Sequence, residues 1–280
     1  MKYKIEKNTV QETLIIPLYA RKVCSELYPN LYRDETAVRL IDEIDYDFSE
    51  AEKKSRSLMQ HFGSLEVAMR QNDLAFEVRD YLKGHPKAAV VNLGCGLDST
   101  GRSCDNGSCK IYNLDFPDVI TVRNELLPAG EREKNISCDL NDTAWFSEID
   151  ASGGAVFFAS GVFYYFLTEQ VKALVQAMAD AFHGGTLLFD AANRTAVKMI
   201  AKTWLKSAKI KDVGAYFAVS DAPQEIGAWD SCLQVTSRGY ILGYNDLKDP
   251  SVSGFFRFLA KVGDRMMKMQ IVKIGFGGRQ

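Results

Sequence analysis

The sequence has no excess of charge of either sign: 34 Lys and Arg stand against 36 Asp and Glu, a net of −2. Binding to nucleic acid through overall charge is excluded, and no nucleic-acid partner is expected. Long apolar runs are also missing. The longest, such as 155–159, are strand-sized, far short of the roughly 20 residues that span a bilayer, so no membrane partner is expected. The amino terminus, MKYKIEKNTV, is polar and has no apolar run of signal-peptide length behind it. Six cysteines (Cys24, Cys95, Cys104, Cys109, Cys138 and Cys232) sit in a chain that is 46% apolar and able to build its own core. They read as reduced thiols of a cytoplasmic protein. Cys104 and Cys109 flank Asp105 but lack the further His or Cys of a zinc site, so no metal is expected. Histidine is scarce, with only His61, His85 and His183.

Along the chain the texture changes once. The first 85 residues read as helices and turns. Ala37, Leu40, Ile41 and Ile44 share a helical face with Asp34 placed to cap it, and 42–52 is acidic and reads as a loop. A helical pattern runs from Ser64 to about Leu82, and Gly84 and Pro86 stop it. From Ala88 short apolar runs alternate with helical stretches: AAVVNLG, KIYNLDF, ISCDL, AVFFAS, TLLFDA, then strands near LQVTSRGYILGY and MQIVKIGF. Val171, Leu174, Val175, Met178 and Phe182 mark a helix that Gly184 and Gly185 end. Continuous apolar strands alternating with helices predict a parallel α/β sheet covered on both faces. The expected organisation is a helical cap over 1–85 and a doubly wound α/β domain over 86–280, with an insert at about 191–230 carrying Trp204 and Trp229.

The strongest local feature is Val90-Val91-Asn92-Leu93-Gly94-Cys95-Gly96-Leu97-Asp98, a buried strand running into a glycine-rich turn. A dinucleotide fingerprint needs Gly or Ala where Ser99 stands, and a phosphate-binding P-loop needs Gly-Lys-Ser/Thr, which is missing. What remains is the turn style used for the amino-acid half of S-adenosylmethionine, with Asn92, Gly94, Gly96 and Asp98 around it. Asp115 lies 21 residues beyond Gly94, at the end of the next apolar run, where a carboxylate takes both ribose hydroxyls; the alternative is a helix cap before Phe116-Pro117. Asp139 could accept the adenine amino group beside the Leu140 N–H, or merely cap a turn with Asn141 and Asp142. Arg70 shares a helical stripe with Leu74, Val78 and Tyr81. A buried guanidinium needs an anion, either a ligand carboxylate or a protein one, and Arg21 is a second candidate.

Several stretches together carry a resemblance: 13–21, 33–38, 44–48, 90–98, 114–120, 138–140 and 161–166. In that order they resemble the leucine carboxyl methyltransferase family, and within it the bacterial branch of polyketide O-methyltransferases of the tetracenomycin type. The resemblance implies a class I, Rossmann-like methyltransferase fold with seven strands, the last antiparallel, and S-adenosylmethionine as methyl donor. It implies that Arg70 and Arg21 hold the donor's carboxylate, that Gly94 underlies its methionine moiety, and that Asp115, Asp139 and Leu140 hold ribose and adenine. Where many members carry Glu before the G-V-x-x-Y stretch, this chain has Ser160.

Methyl transfer is an in-line displacement in which the enzyme mainly aligns the reactants. A carboxylate acceptor is already anionic, whereas a phenol or alcohol usually needs a base. His85 and His183 precede strands, at the edge away from ligands, which leaves His61; the scarcity of histidine favours a carboxylate or an acidic phenol. Tyr165 is a candidate to orient the acceptor, with Phe163 and Tyr164 lining its pocket and Asn193 and Arg194 facing the same edge. The expected activity is O-methylation of a small metabolite. The alternatives are a non-catalytic S-adenosylmethionine-binding protein, a protein C-terminal carboxyl methyltransferase and an NAD-dependent oxidoreductase.

Overall fold

The computed structural model describes residues 2–6, 10–55, 57–200, 216–244 and 247–278. Trp204 and part of the expected insert lie outside them. The amino-terminal part comprises β1 (Tyr3–Lys4), α1 (Val10–Thr13), α2 (Ile15–Leu27), α3 (Glu35–Glu43), β2 (Ile44–Asp45), α4 (Ser49–Ser55) and the long α5 (Leu58–Gly84). Asp34 caps α3 as expected, its carboxylate accepting from the Ala37 N–H at 2.8 Å. Two expectations fail here. The acidic 42–52 stretch is not a loop: Ile44 and Asp45 pair in parallel with Tyr3 and Lys4, and α4 follows. Helix α5 begins six residues before Ser64, because the Ser57 hydroxyl accepts from the Gln60 N–H and starts it early.

After α5 come β3 (Ala89–Leu93), α6 (Thr100–Ser103), β4 (Lys110–Asp115), α7 (Pro117–Leu126), β5 (Glu133–Ser137), β6 (Ala155–Ala159), α8 (Thr168–Ala181), β7 (Thr186–Ala191), α9 (Arg194–Ile200), α10 (Ala222–Gly227), β8 (Leu233–Gly239), α11 (Gly254–Met266) and β9 (Gln270–Phe276). β3 to β9 form one sheet in the order β5-β4-β3-β6-β7-β9-β8, parallel except that β9 runs antiparallel to both neighbours. This is the sheet the sequence predicts. Two boundaries differ: the run read at ISCDL (136–140) pairs earlier, over Glu133–Ser137, and the predicted strand over 233–244 ends at Gly239, where Tyr240 begins a turn.

The central strands are buried on both faces, so their residues alternate between two cores. Val91, Leu93 and Phe157 pack with Val171, Val175 and Met178 of α8. Val90, Val156 and Phe158 pack with Leu74, Val78 and Leu82 of α5. A third cluster joins Leu18 of α2 and Leu40 of α3 to Val119 and Val122 of α7. Thus α5 lies against the sheet itself, and its amino-terminal half continues past the carboxyl ends of the strands.

Candidate functional site

The ladder register sets the site. Ile136, Leu114, Leu93, Ala159 and Phe189 are paired in one row across the sheet. The next residue of each strand therefore falls at one level: Ser137, Asp115, Gly94, Ser160 and Asp190. Four of these, Asp115, Gly94, Ser160 and Asp190, line a cavity of about 600 Å3. Ligands of open α/β sheets bind at this edge.

The Gly94 turn is closed by the protein's own bonds. Asp98 accepts from the Asn92 amide at 3.0 Å and from the Thr100 N–H and hydroxyl at 2.9 and 2.7 Å. Two buried guanidiniums hold the turn's carbonyls: Arg21 donates to Leu97 O at 2.9 Å, and Arg123 to Gly96 O and Asp98 O at 2.9 and 2.8 Å. Gly94 has φ +65°, and a Cβ there would lie 2.6 Å from a Val162 methyl, so only glycine fits. Asp115 accepts from the Gly96 and Phe116 N–H groups, each at 2.8 Å. Burial raises its pKa, and these two donors oppose the rise. Each of its oxygens accepts one of these bonds and keeps further acceptor capacity, and Phe116 and Leu140 line the cavity wall with it.

Helix α5 presents Gly63, Glu66, Val67, Arg70 and Gln71 to the cavity, a stripe at helical spacing. Arg70 Nη1 pairs with Asp190 at 3.0 Å, and the other Asp190 oxygen accepts from the Gly161 N–H at 2.6 Å. Gly161 has φ +72°, and a Cβ there would come within 2.9 Å of Arg70. Burial opposes the Arg70 charge, yet the adjoining Asp190 carboxylate raises its pKa overall. Among the described residues, four buried side-chain polar atoms lack a hydrogen-bond partner, and three of them, Arg70 Nε, Gln71 Oε1 and Ser160 Oγ, belong to this wall. Buried polar atoms without partners are uncommon, and three around one cavity fit a polar ligand.

Of the sequence candidates, Arg21, Arg70, Asn92, Gly94, Gly96, Asp98, Asp115, Phe116, Leu140, Ser160, Tyr164 and Tyr165 line this one cavity. Arg21 already has a protein anion, Asp34 at 3.0 Å, as Arg70 has Asp190. The remaining candidates lie elsewhere. Asp139 is exposed, and one of its oxygens takes the Asn141 N–H and amide at 2.9 Å, the turn-capping alternative. Phe163 is buried against Phe166, Phe189 and Phe217, because the apolar core outcompetes the cavity for its ring. Asn193 caps α9, accepting from the Ala196 N–H at 3.1 Å and donating to Met266 O. Arg194 is exposed, Trp229 packs against Phe217, and none of these joins the wall. His61 is half-buried and also outside it. Five residues separate it from Glu66, about 140° around a helix of 3.6 residues per turn.

Sequence reasoning missed Glu66, Gln71, Asp190 and Tyr240. The stripe that singled out Arg70 also contains 63, 66 and 67, so a signal for Glu66 existed. Asp190 ends an apolar strand just as Asp115 does. Tyr240 was hidden inside the overlong strand prediction. Its hydroxyl donates to Glu66 O at 2.7 Å, and burial pushes its pKa, like that of Tyr164, well above the ordinary tyrosine value. Burial also pushes the Glu66 carboxyl up to about 8, with Arg70 opposing and Asp264 reinforcing.

The family model described as leucine carboxyl methyltransferase matches residues 16–179. The chain is 27% identical over 183 residues to the tetracenomycin polyketide synthesis O-methyltransferase TcmP of Streptomyces glaucescens, covering 65% of this chain and 66% of that one. It is 26% identical over 258 residues to the S-adenosyl-L-methionine-dependent methyltransferase dpfgK of Gibberella zeae, covering 86% and 85%. Among solved structures, a candidate methyltransferase of Thermobifida fusca superposes with a TM-score of 0.56 at 18% identity, covering 92% and 94%. A DUF574 family protein of Streptomyces avermitilis gives 0.59 at 11% identity, covering 92% and 97%. The fold is that of the class I methyltransferases, and the chain belongs to the leucine carboxyl methyltransferase family.

Proposed function

We propose that the protein is an O-methyltransferase that moves a methyl group from S-adenosylmethionine to a carboxylate or phenolic hydroxyl of a small metabolite. The observation that supports this most is the row Asp115, Gly94, Ser160, Asp190 opening into one cavity whose wall holds three unpartnered polar atoms. One curated relative is named as an O-methyltransferase of polyketide synthesis and the other as S-adenosyl-L-methionine-dependent, in keeping with this reading.

The residues fit the donor from one end of the sheet to the other. Asp115 would take the ribose hydroxyls, with Phe116 and Leu140 flanking the adenine. Gly94 and Gly96 let the backbone approach the methionine moiety. Arg70 Nε and Gln71 Oε1 would meet its carboxylate and ammonium, and Ser160 Oγ lies beside them. Bound there, the sulfonium supplies an electrophilic methyl group. The protein's own task is alignment and exclusion of water, which contributes roughly 7–11 kcal/mol toward the barrier in well-oriented systems. Residues 1–85 act as the cap that closes the site, since α2 and α5 furnish much of its wall.

A thermal-shift titration tests the donor assignment. S-adenosylhomocysteine at 100 times its Kd should add about 2.7 kcal/mol. For a chain of this size the midpoint should rise by roughly 5–10 °C. NAD should give no shift. A shift with NAD and none with S-adenosylmethionine or S-adenosylhomocysteine would overturn the assignment.

A further inference from the structure

We propose, resting on the transferase reading above, that the acceptor is a neutral aromatic hydroxyl compound and that Glu66 is the base that takes its proton. The first ground is a charge census of the cavity wall. Among the described lining residues the charged side chains are Arg21, Glu66, Arg70, Asp98, Asp115 and Asp190. Both cations are already paired, Arg21 with Asp34 and Arg70 with Asp190. On the reading above, Arg70 Nε is also taken by the donor's carboxylate. A carboxylate acceptor would therefore enter with no unpaired cation to meet it, an arrangement that costs affinity. A phenol carries no charge into the site and offers a proton.

The second ground is shape and composition. At the end of the cavity opposite Asp115 the wall is made by Tyr164, Tyr165, Phe166, Tyr216, Met199 and Met269. Aromatic rings and methionine thioethers pack against planar rings, which suits an aromatic acceptor. Glu66 belongs to this end, since its backbone carbonyl takes the Tyr240 hydroxyl and Tyr240 bonds to Met269 O.

The third ground is that Glu66 is a carboxylate with no structural employment. Asp98, Asp115 and Asp190 each accept two or more hydrogen bonds from the protein, whereas the Glu66 carboxylate accepts none among the described residues. The groups that face it are Arg70 on its own helix, the Tyr240 turn and Asp264 on α11. A pKa near neutrality suits a general base, and burial places Glu66 there. In the reaction the acceptor O–H proton goes to a Glu66 oxygen. The electron pair left on the acceptor oxygen forms the new C–O bond, and the C–S pair stays on sulfur, giving the methyl ether and S-adenosylhomocysteine. Glu66 returns its proton to water when the site opens.

Three probes test this with S-adenosylmethionine: 2-naphthol, 2-naphthoic acid and 3-hydroxy-2-naphthoic acid, which carries both groups. Products are assigned by mass and by alkaline hydrolysis, which cleaves the ester and spares the ether. The expected result is the ether from 2-naphthol and little ester from either acid. Glu66→Gln should lower kcat for ether formation at pH 7 by 10²- to 10⁴-fold and leave the donor's KM unchanged. The wild-type rate should climb to a plateau above about pH 8, while the Gln variant's residual rate should keep rising as the naphthol ionises itself. Glu66→Asp should recover part of the loss. A readout without turnover accompanies these. The folded-state Glu66 pKa is raised, so folding binds its proton more tightly than the unfolded chain does, and that stability is lost as pH rises from about 4 to about 8. The Gln variant should lose less over that range and should keep its thermal shift with S-adenosylhomocysteine. Ester without ether overturns the proposal and spares the transferase reading. Ether formation that Glu66→Gln leaves unchanged overturns the role of Glu66. Neither product, with S-adenosylhomocysteine bound, overturns both.

Discussion

Asp115→Ala will bind S-adenosylhomocysteine at least a hundredfold more weakly than the wild type. Two ribose hydroxyls donating to one carboxylate make two hydrogen bonds to a charged group, each contributing roughly 1.5–3 kcal/mol. Their joint loss is about 3–6 kcal/mol, or two to four decades in Kd. The same carboxylate also accepts from the Gly96 and Phe116 N–H groups, so part of the effect will act through the turn. Asp115→Asn keeps the shape of the side chain and one acceptor oxygen while removing the charge. It should fall between wild type and alanine. Isothermal titration of the three proteins with S-adenosylhomocysteine gives the comparison, and thermal melts without ligand give the cost to folding. A Kd for Asp115→Ala within threefold of the wild type would remove Asp115 from the donor site.

Asp190→Ala will destabilise the protein by about 3–5 kcal/mol, the usual cost of leaving one member of a buried ion pair alone. The side chain of Asp190 is 2% exposed and that of Arg70 14%, so water cannot replace the lost carboxylate freely. Gly161 loses its acceptor in the same step. At 2–4 °C per kcal/mol the midpoint should drop by roughly 6–20 °C. Adding Arg70→Leu to Asp190→Ala should restore much of this, because the double variant buries no unpaired charge. Urea melts of the two single variants and the double variant form the cycle. Strictly additive losses would show that the two groups do not depend on one another. The single and double variants should both fail to bind the donor tightly, since Arg70 Nε is part of its proposed cradle.

The sheet was legible because each central strand is buried on both faces, and a run such as AVFFA leaves no other reading. The Gly94–Asp115 side of the cavity was legible for a related reason. Gly94 and Asp115 sit where an apolar run stops, and that position reports the strand end. The acceptor half was harder. Phe163 and Tyr164 are neighbours in sequence, yet one ring fills the core and the other reaches the cavity. A short 3-10 turn over 163–165 decides which goes where, and no periodicity announces it. His61 and Glu66 differ by about 140° of rotation and about 7.5 Å of rise along α5, and the choice between them depends on how that helix lies against the sheet. Asp139 and Asn193 were read by their place after strands, but local backbone N–H groups claimed both side chains first. Helix α5 was dated six residues too late because Ser57, its cap, stands just outside the apolar pattern.

The strand order β5-β4-β3-β6-β7-β9-β8 has a consequence for how the molecule tolerates change. At about 4.8 Å per strand, Asp115 on β4 and the residues at the start of β9 stand roughly 19 Å apart across the sheet. Substitutions separated by more than about 7–10 Å with no shared partners act independently. Changes at Ala196, Met199, Tyr216 and Met269 therefore reshape what is accepted without being felt at Asp115, Phe116 or Leu140. Epistasis is confined to the middle strands, where Arg70, Gly161 and Asp190 are bonded into one unit. A library randomised at the β7–β9 end explores new acceptors against a constant Asp115 end, and its variants can be combined additively with changes at that distant end.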